Sequence, residues 1–301
     1  MTEATLRATP SRILLATDLS CRCDRALDRA ALLAREWGAE LLVVHVMAAE
    51  AEDMLDAREG WSRFDRRDAA AVMRRRVAAD LAELADDLPV EVRVTTGDPA
   101  DRIIEIAEQE GCGLIVTGIA RDEQLGRMFV GTTVNRLVRQ SHVPVLVVHS
   151  RARRSYRTIL VATDFSETSR QALVTSVGLF PDAGITLVHG LDLPRATLQY
   201  EDPAEDTRAL ERERRAEFLD AMPIDPSVRD TIGLSIRRGD PERVVADHAT
   251  EHRADLTVIG SHGRSALFDV VIGSMTKRLL ERIQGDMLIV VDPRARRGGP
   301  E

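Results

Sequence analysis

The sequence predicts an α/β fold built from two tandem, doubly wound domains, and three observations support that prediction. The segment Ile13–Ser20 returns with few changes as Ile159–Ser166, so the chain repeats itself. Short aliphatic segments alternate with segments of helical periodicity along each half. That alternation is typical of parallel strands joined by right-handed crossover connections. Because the repeat spans most of the length, we expect one domain at residues 1–150 and a homologous domain at 155–294.

Five aliphatic runs in each half predict the strands of the two sheets. The runs lack the alternation of polar and apolar residues that marks a half-exposed strand, so we expect strands that are buried on both faces. They lie at 12–17, 41–46, 90–95, 113–117 and 144–149 in the first half, and at 158–163, 185–190, 232–237, 255–260 and 287–291 in the second.

Apolar residues at helical spacing predict the helices between these strands. We expect each apolar face to pack against the sheet. In the first half these positions are Ala26, Leu27, Ala30, Ala31 and Ala34, then Val77, Leu81, Leu84 and Leu88, then Ile103, Ile104 and Ala107, and finally Val134, Leu137 and Val138.

Composition limits the classes of function. With 44% hydrophobic and 30% charged residues, the chain resembles an ordinary globular protein. A net charge of -8 argues against a nucleic-acid partner, which would need a clustered basic surface. No apolar stretch is long enough to span a bilayer, and Met1–Arg7 has no hydrophobic signal core. We therefore expect no membrane partner, a cytoplasmic location and, from three cysteines without a second pair, no metal site.

A glycine-rich segment in the second half has the chemistry of a phosphate-binding loop. It runs from Gly260 through Gly263 to Gly273 and Ser274, where a helix is predicted to begin. The start of a helix presents unpaired N–H groups and a partial positive charge, which favour an anion such as phosphate. Glycines let the anion approach the main chain and allow the angles of a tight loop, and Arg264 adds positive charge. Glycines also punctuate ordinary turns, so a plain loop stays an open alternative.

The spacing Gly-x2-Gly-x9-Gly-Ser over 260–274, an aspartate after the first strand and a Gly-x-Pro segment after the third resemble the universal stress protein family. The chain looks like a tandem, two-domain member of this UspA-like family. The resemblance implies a five-stranded parallel sheet in the order 3-2-1-4-5. It also implies that members with the complete glycine pattern bind ATP, and Asp164 could help to hold Mg²⁺ through phosphate and water.

Carried over to this sequence, the resemblance assigns the nucleotide site mainly to the second domain. Asp164, flanked by Ala162 and Thr163, would contact the adenosine portion. The main chain of Gly190 would meet the adenine, at a position where many relatives have an aliphatic residue. The loop and the phosphate contacts would come from Ile259, Gly260, Gly263, Arg264, Gly273, Ser274 and Met275.

The first domain keeps only part of this set. It retains Asp18, Val46, Gly118, Gly131 and Thr132, but Arg121 stands where the second glycine of the loop would be. At a positive φ, arginine would strain the loop by roughly 1–2 kcal/mol, and its side chain could fill the phosphate space. A guanidinium is also a good phosphate partner, which is the opposing interpretation. We expect a weaker second site in this domain.

The residues favour binding over catalysis. Spacing nominates no Ser-His-Asp or Cys-His arrangement and no lysine dedicated to a γ-phosphate, so we assign no catalytic residue. The leading hypothesis is a stress-response protein in which an adenine nucleotide regulates the shape or pairing of the two domains, as a monomer or a homodimer. Two alternatives stay open: a slow ATP hydrolase or phosphotransferase, and an interaction scaffold with vestigial pockets.

Overall fold

The computed structural model describes most of both halves of the chain. The described residues are 9–18, 23–47, 71–72, 75, 79, 88–121, 128–129, 131–192, 203–220, 222–261 and 274–291. They fall into two units, one of residues Thr9–Ser155 and one that begins at Tyr156.

The first domain has a parallel sheet flanked by helices. Strand β1 pairs with both β2 and β4, β2 also pairs with β3, and β4 also pairs with β7, all in parallel. In chain order the elements are β1 (Arg12–Ala16), α1 (Asp24–Trp37), β2 (Glu40–Met47), β3 (Val90–Thr96), α2 (Pro99–Gln109), β4 (Leu114–Gly118), β5 (Ala120–Arg121), β6 (Met128–Phe129), α3 (Thr132–Gln140) and β7 (Val145–Val148).

The second domain repeats this architecture. Strand β8 pairs in parallel with β9 and β11, β9 also pairs with β10, and β11 also pairs with β12. Its elements are β8 (Thr158–Ala162), α4 (Glu167–Leu179), β9 (Gly184–Leu191), α5 (Pro203–Leu219), α6 (Pro226–Thr231), β10 (Gly233–Arg238), α7 (Pro241–Glu251), β11 (Leu256–Gly260), α8 (Ser274–Arg282) and β12 (Asp286–Val290).

The predicted fold class is confirmed. Counting the five parallel strands of each domain, the order is 3-2-1-4-5 in both. One detail differs, because β5 and β6 form a separate antiparallel pair that the repeat did not predict. Among the described residues, no helix combines the length and the apolar character needed to cross a bilayer.

Aliphatic side chains form the core of each domain, as the periodicity predicted. The predicted apolar face of α1 is buried, and so are Val134, Leu137 and Val138 of α3. The second predicted helix, over 77–88, lies mostly outside the described residues. The expectation of strands buried on both faces is wrong for β3 and β10, which are half-buried. Both are edge strands at the end of the strand order, so each is exposed along the side that has no paired strand among the described residues.

The repeated Gly-Asp-Pro segment starts a helix in each domain. Gly97 has φ 130° and Gly239 has φ 141°, angles that only glycine adopts without strain. The next residue, Asp98 or Asp240, accepts a hydrogen bond from a main-chain N–H in the first turn of α2 or α7. The proline then occupies the first turn, where a missing N–H costs nothing. Local helix capping therefore accounts for this part of the repeat.

A buried polar pair closes the second domain. Asp286 begins β12 with 0% of its surface exposed, and it accepts a 2.6 Å hydrogen bond from the hydroxyl of Tyr156, which is 4% exposed. A buried carboxylate without a donor would be strongly destabilising, so the hydrogen bond from Tyr156 stabilises the fold. The same hydrogen bond joins the start of the domain to its last strand.

A second buried polar group lies at the end of α7. The His248 ring is 5% exposed and stacks on His252, with 4.1 Å between ring centroids. Burial, followed by the positive charges of His252 and Arg237, lowers the pKa of His248 to about 4. Within the described residues its Nδ1 atom has no hydrogen-bond partner, so His248 is a neutral core residue near pH 7.

Replacing Tyr156 with phenylalanine should lower the free energy of unfolding by about 1–3 kcal/mol, because Asp286 loses a buried donor. Urea denaturation monitored by circular dichroism measures the change. A second substitution, Asp286→Asn, should cost less in the Tyr156→Phe background than in the parent, because the two groups act as a pair. Equal costs in both backgrounds would contradict this.

Acidification should destabilise the protein through His248. Its folded-state pKa lies below the ordinary 6.5, so the stability that the neutral ring contributes is complete above pH 6.5 and is lost as the pH falls toward about 4. The loss amounts to roughly 3 kcal/mol at most. Carboxylates titrate in the same range, so the quantity to measure is the difference between the parent and His248→Gln. Parallel curves for the two proteins between pH 4 and 6.5 would contradict the prediction.

Candidate functional site

A cavity of about 250 Å³ opens at the carboxyl ends of the first-domain strands. Its walls come from the ends of β1, β2 and β4, the start of α2 and the first turn of α3. In open parallel sheets, ligands bind at this edge, where the connections leave in opposite directions from neighbouring strands. The volume is close to the lower end of small-molecule sites, roughly 300 Å³.

The structure gathers the predicted first-domain residues around this cavity. Asp18, Val46, Gly118, Gly131 and Thr132 all line it. The backbone of Arg121 lies in β5, and its side chain is outside what the structure describes. Among the described lining residues, Asp18 is the charged one, and most of the others are aliphatic or small.

The first turn of α3 lines the cavity together with Gly131. Gly131 precedes the helix with φ -58°, and no side chain caps the helix there. A Cβ built at Gly131 would meet no atom of the described residues within 4 Å, so neither a positive φ nor packing among those residues explains the glycine. The first N–H groups of a helix lack intrahelical partners and carry partial positive charge. This end of the cavity is therefore suited to an anionic group.

The aspartate turn is held in place by a histidine on the neighbouring strand. His45 Nδ1 lies 2.9 Å from the main-chain oxygen of Thr17, and His189 Nδ1 lies 2.8 Å from that of Thr163. Because a carbonyl oxygen only accepts, Nδ1 carries the proton and donates in both domains. The sequence showed these histidines as part of the repeat but gave them no role.

Cys23, which the sequence analysis did not select, also lines the cavity. Its thiol donates to Asp18 Oδ1 across 3.1 Å. Burial raises the pKa of Cys23 to about 11, so the thiol keeps its proton at neutral pH. Five residues separate Cys23 from Asp18, and only the fold shows that they meet.

In the second domain, the predicted residues after β8 form a tight turn. Asp164 Oδ1 accepts from the main-chain N–H of Ser166, and Thr163 Oγ1 accepts from that of Phe165, both at 3.0 Å. Phe165 has φ 60°, which is unusual for a bulky residue. Its ring packs against those of His189 and Phe218, at 4.8 and 5.3 Å between centroids, which stabilises this angle.

The structure gives Gly190 a packing reason that the sequence did not show. A Cβ on Gly190 would lie 2.4 Å from Cα of Pro241, the first residue of α7. The strand and the helix are thus in direct main-chain contact. In the first domain the matching residues, Val46 and Pro99, both line the cavity. The glycine is therefore required for close approach of α7, whatever the main chain binds.

Gly260 also has a packing role. The expectation that it supplies unusual backbone angles is wrong, because it ends β11 and does not have a positive φ. A Cβ there would lie 2.9 Å from the main-chain carbon and oxygen of Thr168, in the first turn of α4. Ile259 before it is buried, Ser274 begins α8 and Met275 is half-buried. Gly263, Arg264 and Gly273 lie outside the described residues.

An arginine at the same repeat position ties the last helix of each domain to the helix before it. Arg136 of α3 contacts Asp98 at 2.5 Å and Asp101 at 2.6 Å, whereas Arg278 of α8 contacts Glu242 at 2.6 Å. The Asp101 main chain and then Arg136 hold the pKa of Asp98 below its ordinary value. Burial raises the pKa of Glu242, which Arg278 opposes. These pairs fix the starts of α3 and α8 relative to their neighbours.

Metal ligands do not cluster in the part of the chain that the structure describes. There, no group of three or more histidine, cysteine, aspartate or glutamate side chains could hold a metal ion.

Comparison with known proteins identifies relatives of both halves. A sequence model of the universal stress protein family matches residues 10–149 and again 155–291. A universal stress protein of Mycolicibacterium smegmatis is 26% identical over 301 residues, covering 94% of this chain and 98% of the relative. One of Mycobacterium tuberculosis is 24% identical over 303 aligned residues, covering 92% and 96%.

Solved structures agree on the fold. The crystal structure of a universal stress protein from Archaeoglobus fulgidus has a TM-score of 0.65 and 19% identity, covering 93% of this chain and 98% of that one. At this identity the likeness shows the arrangement of strands and helices.

Two glycines should differ in the cost of replacement by alanine. Gly190→Ala should lower the free energy of unfolding by about 1–3 kcal/mol, because the new methyl group meets the main chain of Pro241. Gly131→Ala should cost less than about 1 kcal/mol, because its methyl group enters open space. Chemical denaturation of both variants beside the parent measures the difference. Similar costs for the two would show that Gly190 is not held by packing.

Proposed function

The chain belongs to the universal stress protein family, and on that premise we propose that it is a regulatory protein that binds an adenine nucleotide. The observation that supports this most directly is the first-domain cavity at the carboxyl edge of the sheet. Its lining offers two kinds of polar contact. Asp18 suits hydrogen-bond donors of a nucleoside, and the open first turn of α3 at Gly131 suits phosphate.

The charges favour one orientation of the ligand. Phosphate groups beside the Asp18 carboxylate would be repelled, whereas the positive end of α3 attracts them. The base and sugar would then lie among the aliphatic side chains of Val44, Val46 and Ile103. This division of polar and apolar contacts is typical of small-molecule sites.

We further propose that the second domain holds the tighter site and that ATP is the ligand. Its sequence has the complete spacing Gly260, Gly263, Gly273 and Ser274, and α8 begins at Ser274, as a phosphate-binding helix start requires. The first domain has Arg121 in place of one glycine. Glycine in place of that arginine would leave the main chain of the loop more accessible to a triphosphate.

A regulatory role fits the chemistry better than efficient catalysis. Phosphoryl transfer needs positive charge at the γ-phosphate and an oriented nucleophile. The charged side chain among the described lining residues of the first cavity is an acid, Asp18. We propose that nucleotide occupancy instead changes the assembly or shape of the tandem chain. Light scattering with and without ATP tests this part, and an unchanged mass and hydrodynamic radius would contradict it.

Isothermal titration should show one tight ATP equivalent per chain and one weaker one. Gly273→Val should remove the tight equivalent, because a branched side chain would block the approach of phosphate to the main chain. Gly131→Val should leave it intact and affect the weaker one. Two equal sites, or loss of the tight site in Gly131→Val, would reverse the assignment of the domains.

Saturation with ATP should stabilise the folded chain. At a free concentration of about a hundred times Kd, one site adds about 2.7 kcal/mol to the free energy of unfolding. Thermal unfolding with ATP, AMP and GTP then ranks the ligands. Phosphate release in the presence of Mg²⁺ is measured in parallel. Turnover well above that of Gly273→Val would favour a hydrolase over a binding module.

A further inference from the structure

The internal repeat allows the surroundings of the two aspartates to be compared atom by atom. Cys23 lies five residues after Asp18, and Ser169 lies five residues after Asp164. Both stand near the start of the helix that follows the first strand, although Cys23 is the cap residue of α1 and Ser169 is the third residue of α4. A thiol and a hydroxyl thus occupy matched positions.

In the second domain the hydroxyl does not contact the aspartate. Ser169 is 3% exposed, and its Oγ accepts from Thr163 Oγ1 at 3.0 Å and donates to the Ser166 main-chain oxygen at 2.9 Å. The Ser169 hydroxyl proton is therefore donated within the turn and not to Asp164. Asp164 instead accepts from the N–H of Ser166 at 3.0 Å. The described contact of this carboxylate with its own loop thus replaces a contact with Ser169.

In the first domain the thiol does contact the aspartate. Cys23 donates to Asp18 Oδ1 at 3.1 Å, and both residues line the cavity. Because burial raises the pKa of Cys23 to about 11, the proton needed for donation is present at physiological pH.

We propose that Cys23 is a positioning residue for ligand binding in the first domain: its thiol fixes the Asp18 carboxylate at the cavity, whereas Ser169 has no such role in the second domain. The inference rests on the proposed nucleotide function. It assigns to the first-domain site a residue, Cys23, that affects nucleotide affinity at that site and not at the second-domain site. With Oδ1 anchored, the plane of the carboxylate is set, which favours hydrogen bonds with a nucleoside ligand. Affinity in the first domain then depends on a side chain that the family pattern does not include.

Substitution at Cys23 tests this dependence in a Gly273→Val background, where ATP titration reports the first domain. Cys23→Ser keeps a donor and should bind within about twofold of the parent. Cys23→Ala removes the donor and should weaken binding by about fivefold to twentyfold. The matched variant Ser169→Ala should leave this affinity unchanged. Urea denaturation of each variant separates altered binding from altered folding.

Alkylation provides a local readout in the unmodified full-length chain. N-ethylmaleimide adds a group to Cys23 that would occupy the cavity, so bound ATP should slow this reaction severalfold. Cys112 is the matched control. Burial raises its pKa to about 11 as well, and it is not among the residues that line the cavity. Its rate should not change with ATP. Peptide mass spectrometry assigns each adduct.

The outcomes separate the two proposals. If Cys23→Ala binds ATP as tightly as the parent while Gly131→Val abolishes first-domain binding, the positioning role is wrong and the nucleotide site stands. Equal weakening in Cys23→Ser and Cys23→Ala would also overturn the role of the donor. If ATP neither binds the Gly273→Val protein nor protects Cys23, the nucleotide function of this domain fails, and the inference fails with it.

Discussion

Parallel pairing of the first strand with two neighbours is the constraint on which the rest of each domain depends. In the first domain β1 lies between β2 and β4, and in the second β8 lies between β9 and β11. The connections on either side of that central strand leave in opposite directions, so a crevice opens at its carboxyl end. The turn with Asp18 or Asp164 follows there, and the histidine of the next strand fixes it by a hydrogen bond.

The sequence predicted the strands and most of the helices. It also predicted that the candidate site residues of the first domain lie close together. Periodicity and repetition report local structure and core positions directly, so strand bounds differ from the prediction by about one residue at either end. The packing roles of Gly190 and Gly260 could not be predicted from periodicity or repetition. A glycine makes room either for a ligand or for a neighbouring element, and the neighbours here, Pro241 and Thr168, lie far away in sequence. The Cys23 contact depends on side-chain geometry that spacing does not encode.

The two domains reach the same architecture with different local contacts. Arg136 and Arg278 occupy one repeat position, yet the first contacts two exposed acids and the second contacts a mostly buried glutamate. At the start of the first helix, the thiol of Cys23 contacts an aspartate, whereas the hydroxyl of Ser169 bonds within its turn. The common backbone accommodates these exchanges because both domains keep the same parallel strand pairing and the same aspartate caps, Asp98 and Asp240.

The hydrogen bond between Tyr156 and Asp286 has a consequence for dissecting the chain. Tyr156 precedes β8 by two residues, so it belongs to the second folding unit although it stands before its first strand. A fragment that began at Thr158, the first residue of β8, would keep the buried carboxylate of Asp286. It would lack the Tyr156 hydroxyl that donates a hydrogen bond to that carboxylate. Excision of the C-terminal half at Tyr156 or earlier retains this donor for the enclosed acid, and excision two residues later removes it.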